Sequence, residues 1–327
     1  MIPSIFKSEN PRRAPARRAK GPFPWRHQAP GWGGLLILAW TVSASPVLAQ
    51  EAHREILAEK FQSELEEIAQ AFQGVAGIQV IDLEAGARFG VHEDMVFPQG
   101  SAIKIPILLE LFRRAETDPG LLARRVEMTD AVRTGGSGVL HHLTDGGSAL
   151  SMEDYAIYMI VYSDNTATNV LIDELGMDAI NTLSASLGAP GTLLQRKMIR
   201  PEASARGDEN LSTPAEAAEI MERIARCDLP MSRAGCDRVR EILEIPKGGP
   251  VRRPVPDEAP IAFKPGGIEG VTTVWALVGL GDRPYVLTVM TNYGGNGGEV
   301  VERASEAAYQ YFFRLAWSTP YGTRVPR

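Results

Sequence analysis

Apolar residues between positions 52 and 73 recur at Ile56, Leu57, Phe61, Leu65, Ile68 and Phe72, the spacing of an amphipathic helix. Two apolar, β-rich runs follow, Val75–Ile81 and Ala87–Val91, on either side of the turn Glu84-Ala85-Gly86. From 101 to 243 the spacing turns mostly helical. Ser151-Met-Glu-Asp154 is a helix start of the capping-box kind, and the helix it opens should reach about Tyr162. A second should run from Thr166 to Leu175 and stop at Gly176, and Pro214 should open a third through Ile224. Strands return at Ala259–Phe263, Thr272–Leu280 and Pro284–Thr291, separated by Gly-rich turns, and residues 298–317 read as a closing helix.

This order predicts an α+β fold: a five-stranded antiparallel sheet built from both ends of the chain, flanked by the terminal helices, with a helical block inserted. Residues 50–100 and 245–327 would form the sheet lobe and residues 101–244 the mainly helical lobe of one catalytic domain, 50–327. A cleft between the lobes is the natural place for a small ligand.

The first 49 residues read differently. Arg12, Arg13, Arg17, Arg18, Lys20 and Arg26 precede an apolar run, Gly34–Trp40, and Val47-Leu48-Ala49 offers a small-residue cleavage site. That order is a secretory signal peptide, too short to span a bilayer, with a disordered basic tail as the plain alternative. The segment carries seven Lys and Arg against one Glu, so its removal takes the net charge from −6 to −12. So acidic a chain repels nucleic acid, and no later segment is apolar enough to cross a membrane. Export to the periplasm or beyond would place Cys227 and Cys236 where a disulfide can form. Two thiols and five scattered histidines show no metal-ligand spacing, and neither a metal nor another cofactor is expected.

Three short motifs carry candidate chemistry. In Ser101-Ala-Ile-Lys104, at the start of a helical run, residues three apart share a face, so the amine can reach the hydroxyl. Serine is a weak nucleophile until a base takes its proton, and a desolvated lysine can be that base. Alone, the motif is better read as an N-cap serine and a surface lysine. Ser163-Asp164-Asn165 falls on a bend between helices, where Asp164 could simply cap the next one. Lys264-Pro265-Gly266-Gly267 ends a predicted strand, offering a positive charge and a backbone open to close approach.

In order and spacing the three together resemble the class A β-lactamases and penicillin-binding proteins, over about residues 52–317. Leu143-Thr-Asp-Gly146 and the continuation through Asn169 match as well. The resemblance implies a β-lactamase-like fold and a serine β-lactamase acylated on Ser101. In it Lys104 takes the proton, Ser163 passes one to the leaving nitrogen, and Asn165 holds the substrate's side-chain amide. Lys264 supports Ser163 and attracts the substrate carboxylate, Gly266 and Gly267 line the site, and the N–H groups of Ser101 and Gly267 form the oxyanion hole. A related hydrolase or D,D-peptidase acting on cell-wall peptides or esters is the alternative, and a non-catalytic binder of cell-wall fragments a third. The expected partner is a small β-lactam or peptide, and the chain is expected to be a monomer.

Four departures stand out. Pro265 replaces a hydroxyl residue. Arg200-Pro-Glu202 matches half of the family's deacylation loop, but Arg206 stands at its asparagine and only twelve positions separate Glu202 from Pro214. Glu202 could position a water or pair with Arg200 or Arg206. Thr272 and Thr273 stand where many relatives have an arginine, which Arg252 or Arg253 could replace. Gly100 stands where many have cysteine.

Overall fold

A computed structural model describes residues 46–319 and 321–325, so residues 1–45 of the expected leader lie outside the described residues. Five strands, β1 (Val75–Asp82), β2 (Arg88–Val91), β3 (Ile261–Ile268), β4 (Val271–Val278) and β5 (Tyr285–Asn292), form one sheet. All its pairings are antiparallel, in the order β2-β1-β5-β4-β3, so the two ends of the chain meet between β1 and β5. Both faces of the sheet are covered, and the two-residue side-chain period sorts each strand between them. Val274, Ala276 and Val278 of β4 with Tyr285, Leu287 and Val289 of β5 pack against the terminal helices α1 (Pro46–Ala71) and, once the chain has run its course, Gly297–Ala316. Trp275, Leu277, Val286 and Met290 face the inserted helical layer. Burial on both sides is why these strands read as unbroken apolar runs.

The same alternation places Lys264. Phe263 joins the core beside the terminal helices, whereas Ala262, two residues before Lys264, joins the core on the helical side. Lys264 therefore points toward the helical layer. Its strand is longer than the sequence suggested: β3 does not end at Phe263 but runs through Lys264-Pro265-Gly266-Gly267 to Ile268. Proline fits because β3 is an edge strand, where a missing N–H costs no ladder bond. Gly266 fits because the strand lies against the turn that carries Ser101: a Cβ there would overlap Gln99 O and come within 2.6 Å of Ala102 N.

The inserted layer holds α2 (Lys104–Ala115), α3 (Met152–Val161), α4 (Asn165–Leu175), α5 (Met177–Ser186), α6 (Pro201–Ala205), α7 (Pro214–Arg226) and α8 (Arg233–Glu244), and Gly297–Ala316 is α9. The capping box at the start of α3 forms, with Ser151 and Asp154 each accepting from the other's N–H. Helix α4 stops at Gly176 as expected. Helices α5, α6 and α8 were not foreseen. The apolar stripe of α1 is buried from Phe61, which stacks on Tyr311, whereas Ile56 stays 48% exposed because it precedes that contact.

Cys227, just after α7, and Cys236, in α8, are joined by a disulfide with Cα atoms 5.7 Å apart. It closes a short loop, worth about 2–3 kcal/mol through the unfolded chain. Denaturant unfolding with and without a reductant should differ by about that amount, and denatured, unreduced protein should titrate no free thiol.

Candidate active site

Ser101 lies in a short 3₁₀ turn, Gly100–Ile103, that leads directly into α2, whose first residue is Lys104. In a 3₁₀ turn positions three apart eclipse, which puts both side chains on one side. The turn is stapled to the sheet by Gln99. The Gln99 side chain donates to Phe97 O (2.9 Å) and accepts from Trp275 Nε1 (2.9 Å), and its carbonyl accepts from Thr273 Oγ1 (2.8 Å). Gly100, at φ +49°, brings this backbone against β3: a Cβ there would sit 2.7 Å from Gly267 N. The main-chain N–H groups following Gly100 and at Gly267 thus share one small region.

Beneath it lies Ser163, whose left-handed backbone (φ +52°) marks the bend between α3 and α4. Its Oγ accepts from Lys104 Nζ and from Lys264 Nζ, both at 3.1 Å. Lys104 Nζ also donates to Ser163 O (2.7 Å) and Asn165 Oδ1 (3.1 Å), and Lys264 Nζ to Pro265 O (2.8 Å). Both lysines are buried. Burial lowers the Lys104 amine to about 7, with Asp164 pulling the other way. Burial holds Lys264 well below its ordinary value, helped by the charges of Lys104 and then Lys247.

Asp164 caps α4 by accepting from Ala167 N (2.9 Å), but it does more than cap. Its other oxygen accepts from Val139 N (2.7 Å) and Leu140 N (2.8 Å), tying the loop before α3 to the bend. Asn165 Nδ2 donates to Gly135 O (3.1 Å) in the same loop. A cavity of about 310 Å³ opens above, lined by Gly100, Ser101, Asn165, Gly267, Ile268 and the segment around Arg196–Pro201. The structure therefore joins Lys104, Ser163, Asn165 and Lys264 by hydrogen bonds, sets Ser101, Asn165 and Gly267 on the wall of one cavity, and presses Gly266 on the turn that carries Ser101.

The model of the Beta-lactamase enzyme family matches residues 60–312. The chain belongs to that family. It is 28% identical over 159 residues to beta-lactamase L2 of Stenotrophomonas maltophilia, covering 48% of this chain and 52% of that one, so it spans about half of that relative's length. The crystal structure of a beta-lactamase from Sphaerobacter thermophilus DSM 20745 superposes with a TM-score of 0.70 at 29% identity, over 77% of this chain and 97% of that chain. The structure of PBP-A does so with a TM-score of 0.71 at 27% identity, over 78% and 97%.

Glu202 does not join the gathered residues. It is exposed in α6, a five-residue helix with no buried side chain, and lies outside the Ser101 cavity. The carboxylate that does line the cavity is Glu209, which the sequence reading passed over. It accepts from Arg196 (2.6 Å) and from the Ser204 hydroxyl. Asn210 accepts from Gln195 N (2.8 Å) and Arg196 N (3.0 Å), closing the same loop. Asn169 holds it to α4 by accepting from Met198 N (2.8 Å) and donating to Met198 O (3.2 Å). Only the local run Ser163–Asn169 signalled any of this. Thr273 is turned to Gln99, Arg252 binds Ala259 O (2.8 Å) and Asp257 (3.1 Å), and Arg253 pairs with Glu302 (2.6 Å), so neither arginine enters the cavity.

Replacing Asp164 by Ala leaves three main-chain N–H groups, two of them on the 139–140 loop, without their acceptor. The expected loss is about 3–5 kcal/mol in denaturant unfolding, given roughly 1–3 kcal/mol for each buried group left unpaired. Asp164→Asn should lose less.

Proposed function

We propose that this chain is a serine β-lactamase. The observation that carries the reading is Ser163 Oγ held 3.1 Å from two buried lysines, the first of which, Lys104, opens the helix that follows the Ser101 turn. Lys104, neutral near pH 7, takes the Ser101 proton as Oγ attacks the β-lactam carbonyl. The N–H groups of Ser101 and Gly267 receive the oxyanion. The carbonyl C–N bond then breaks, the departing nitrogen takes a proton from Ser163, and Ser163 is recharged by the proton that Lys104 took from Ser101, which leaves Lys104 neutral again. Asn165, with its amide at the cavity wall, receives the substrate's side-chain amide.

Hydrolysis of the resulting ester needs a base for water. Glu202 is exposed and lies outside the cavity, and Glu209 is held by Arg196 and Ser204. We assign this proton too to Lys104, which makes deacylation the slow step. Likeness to PBP-A and the lack of a free carboxylate on the cavity wall, among the described residues, favour a second reading: an acyl hydrolase of cell-wall peptides on which the penicillin adduct persists. In both readings residues 50–327 are the catalytic unit, with the sheet lobe of 50–100 and 245–327 on one side of the cavity and 101–244 on the other. The basic, apolar, small-residue order of the first 49 residues and the disulfide support export to the periplasm. No helix among the described residues is long and apolar enough to cross a membrane.

Intact-protein mass spectrometry during incubation with benzylpenicillin should register an adduct on the wild type that accumulates and then decays, and none on Ser101→Ala. An adduct that stays selects the second reading, and a labelled Ser101→Ala removes the nucleophile. The acylation rate should rise with pH roughly tenfold per unit below the Lys104 value of about 7, where the amine is protonated, and level off above it, because only the neutral amine accepts a proton. Stopped-flow acylation by a chromogenic cephalosporin measures this profile.

A further inference from the structure

The cavity above Ser101 has an unbalanced charge on one wall. Its charged lining residues are Arg196, Glu209 and Arg200. Arg196 and Glu209 satisfy each other at 2.6 Å with side chains only 11% and 15% exposed, so they cancel. Arg200 has no acidic partner among the described residues. Its one hydrogen bond is a long one, 3.4 Å, to the adjacent Ile199 O. Ile199 has a left-handed backbone, φ +54°, and strain of that kind in a non-glycine residue is kept only where the surroundings enforce it. Here the neighbour is anchored through the Met198–Asn169 bonds, so the position of Arg200 on the wall follows from α4.

Which end of a bound substrate meets Arg200 follows from neighbouring contacts. A Cβ added at Gly136 would lie 2.8 Å from Asn165 Nδ2 and 3.0 Å from the Ile199 side chain, so Asn165, the Gly136 loop and Ile199 form one side of the cavity. That side receives the acyl side chain in the reading above, on which this inference rests. The ring carboxylate goes to the other side, toward Lys264 and β3. An arginine is a planar, permanently charged fork suited to carboxylates, and Arg200, though exposed, stands on the wall of the cavity that Ser101 lines.

We propose that Arg200 is a specificity-determining residue that selects β-lactams whose acyl side chain carries a carboxylate. The class includes α-carboxylated penicillins and any acyl peptide whose corresponding group is acidic. The guanidinium pairs with the side-chain carboxylate before Ser101 attacks and takes no part in the bond changes. The resulting preference is electrostatic, so it weakens with salt.

The test compares benzylpenicillin with its α-carboxy derivative, which differ by one carboxylate; the ring carboxylate is common to both and cancels. The second-order rate of Ser101 acylation is measured for each by quenched mass spectrometry, which does not depend on turnover. The wild type should favour the carboxylated compound by roughly two- to fivefold at low salt, the range set by one exposed charge pair. The preference should shrink in 0.5 M salt. Arg200→Gln should bring the ratio close to one, Arg200→Lys should keep part of it, and Arg206→Gln, outside the cavity, should leave it unchanged. A wild-type ratio near one, or a preference that survives Arg200→Gln, overturns the proposal while leaving the hydrolase reading standing. Failure of either penicillin to acylate Ser101 overturns the hydrolase reading and the proposal with it.

Discussion

Two lysine amines buried against one serine hydroxyl set the terms for everything around them. Removing an ammonium group from water costs several kcal/mol, and two side by side repel as well. The one anion close by, Asp164, spends both oxygens on main-chain N–H groups of α4 and of the loop at 139–140. The pair therefore cannot carry two full charges near neutrality, and the cost falls on protonation: Lys104 drops to about 7 and Lys264 well below its usual range. A neutral amine next to a serine is what nucleophilic acyl transfer requires. Keeping that pair dry and aligned needs an edge strand that can hold Lys264 against the helical layer and a strained bend that can hold Ser163 between them.

How legible this was depends on the range of the interactions. The strands and the main helices follow from periodicity, because a sheet buried on both faces reads as apolar runs and a helix covering it reads as a stripe. Ser101, Lys104, Ser163 and Lys264 stood out because three short motifs recur in a fixed order. The extent of β3 did not, since Pro265 and two glycines look like a turn unless the strand is known to lie at an edge, pressed on the Gln99–Ala102 backbone. Gln99 was invisible for a similar reason: its partners, Thr273 and Trp275, lie more than 170 residues away. Helix α8 was missed because only Cys236, Val239, Ile242 and Leu243 of its twelve residues are buried.

The deacylation loop shows the limit of motif reading most clearly. Arg200-Pro-Glu202 looks like half of a known pattern, yet what shapes the segment is a set of contacts that no local string records. Arg196 to Glu209 and Asn210 to Gln195 and Arg196 close the loop at its base, and Asn169 pins Met198 to α4. With both ends held, Ile199, Arg200, Pro201 and Ser204 stay on the wall of the Ser101 cavity, but Glu202 does not. Pro201–Ala205 makes one turn of helix with no buried side chain, and Glu202, exposed on it, lies outside the cavity.

A short loop thus has a chemical consequence. A longer one could lay a carboxylate over the acyl carbon; this one leaves Glu209 as the only acid on the cavity wall among the described residues, and that acid already neutralises Arg196. In the proposed reaction, proton transfer then rests on the lysines. A lone surface lysine would make a poor base near neutrality because it stays protonated. Two buried ones sharing Ser163 do not, because burial disfavours the charged amine at both, and the charge of Lys104 lowers Lys264 further. The burial that burdens the fold is therefore also what leaves an amine able to accept a proton, and it persists whether or not a carboxylate ever reaches the water.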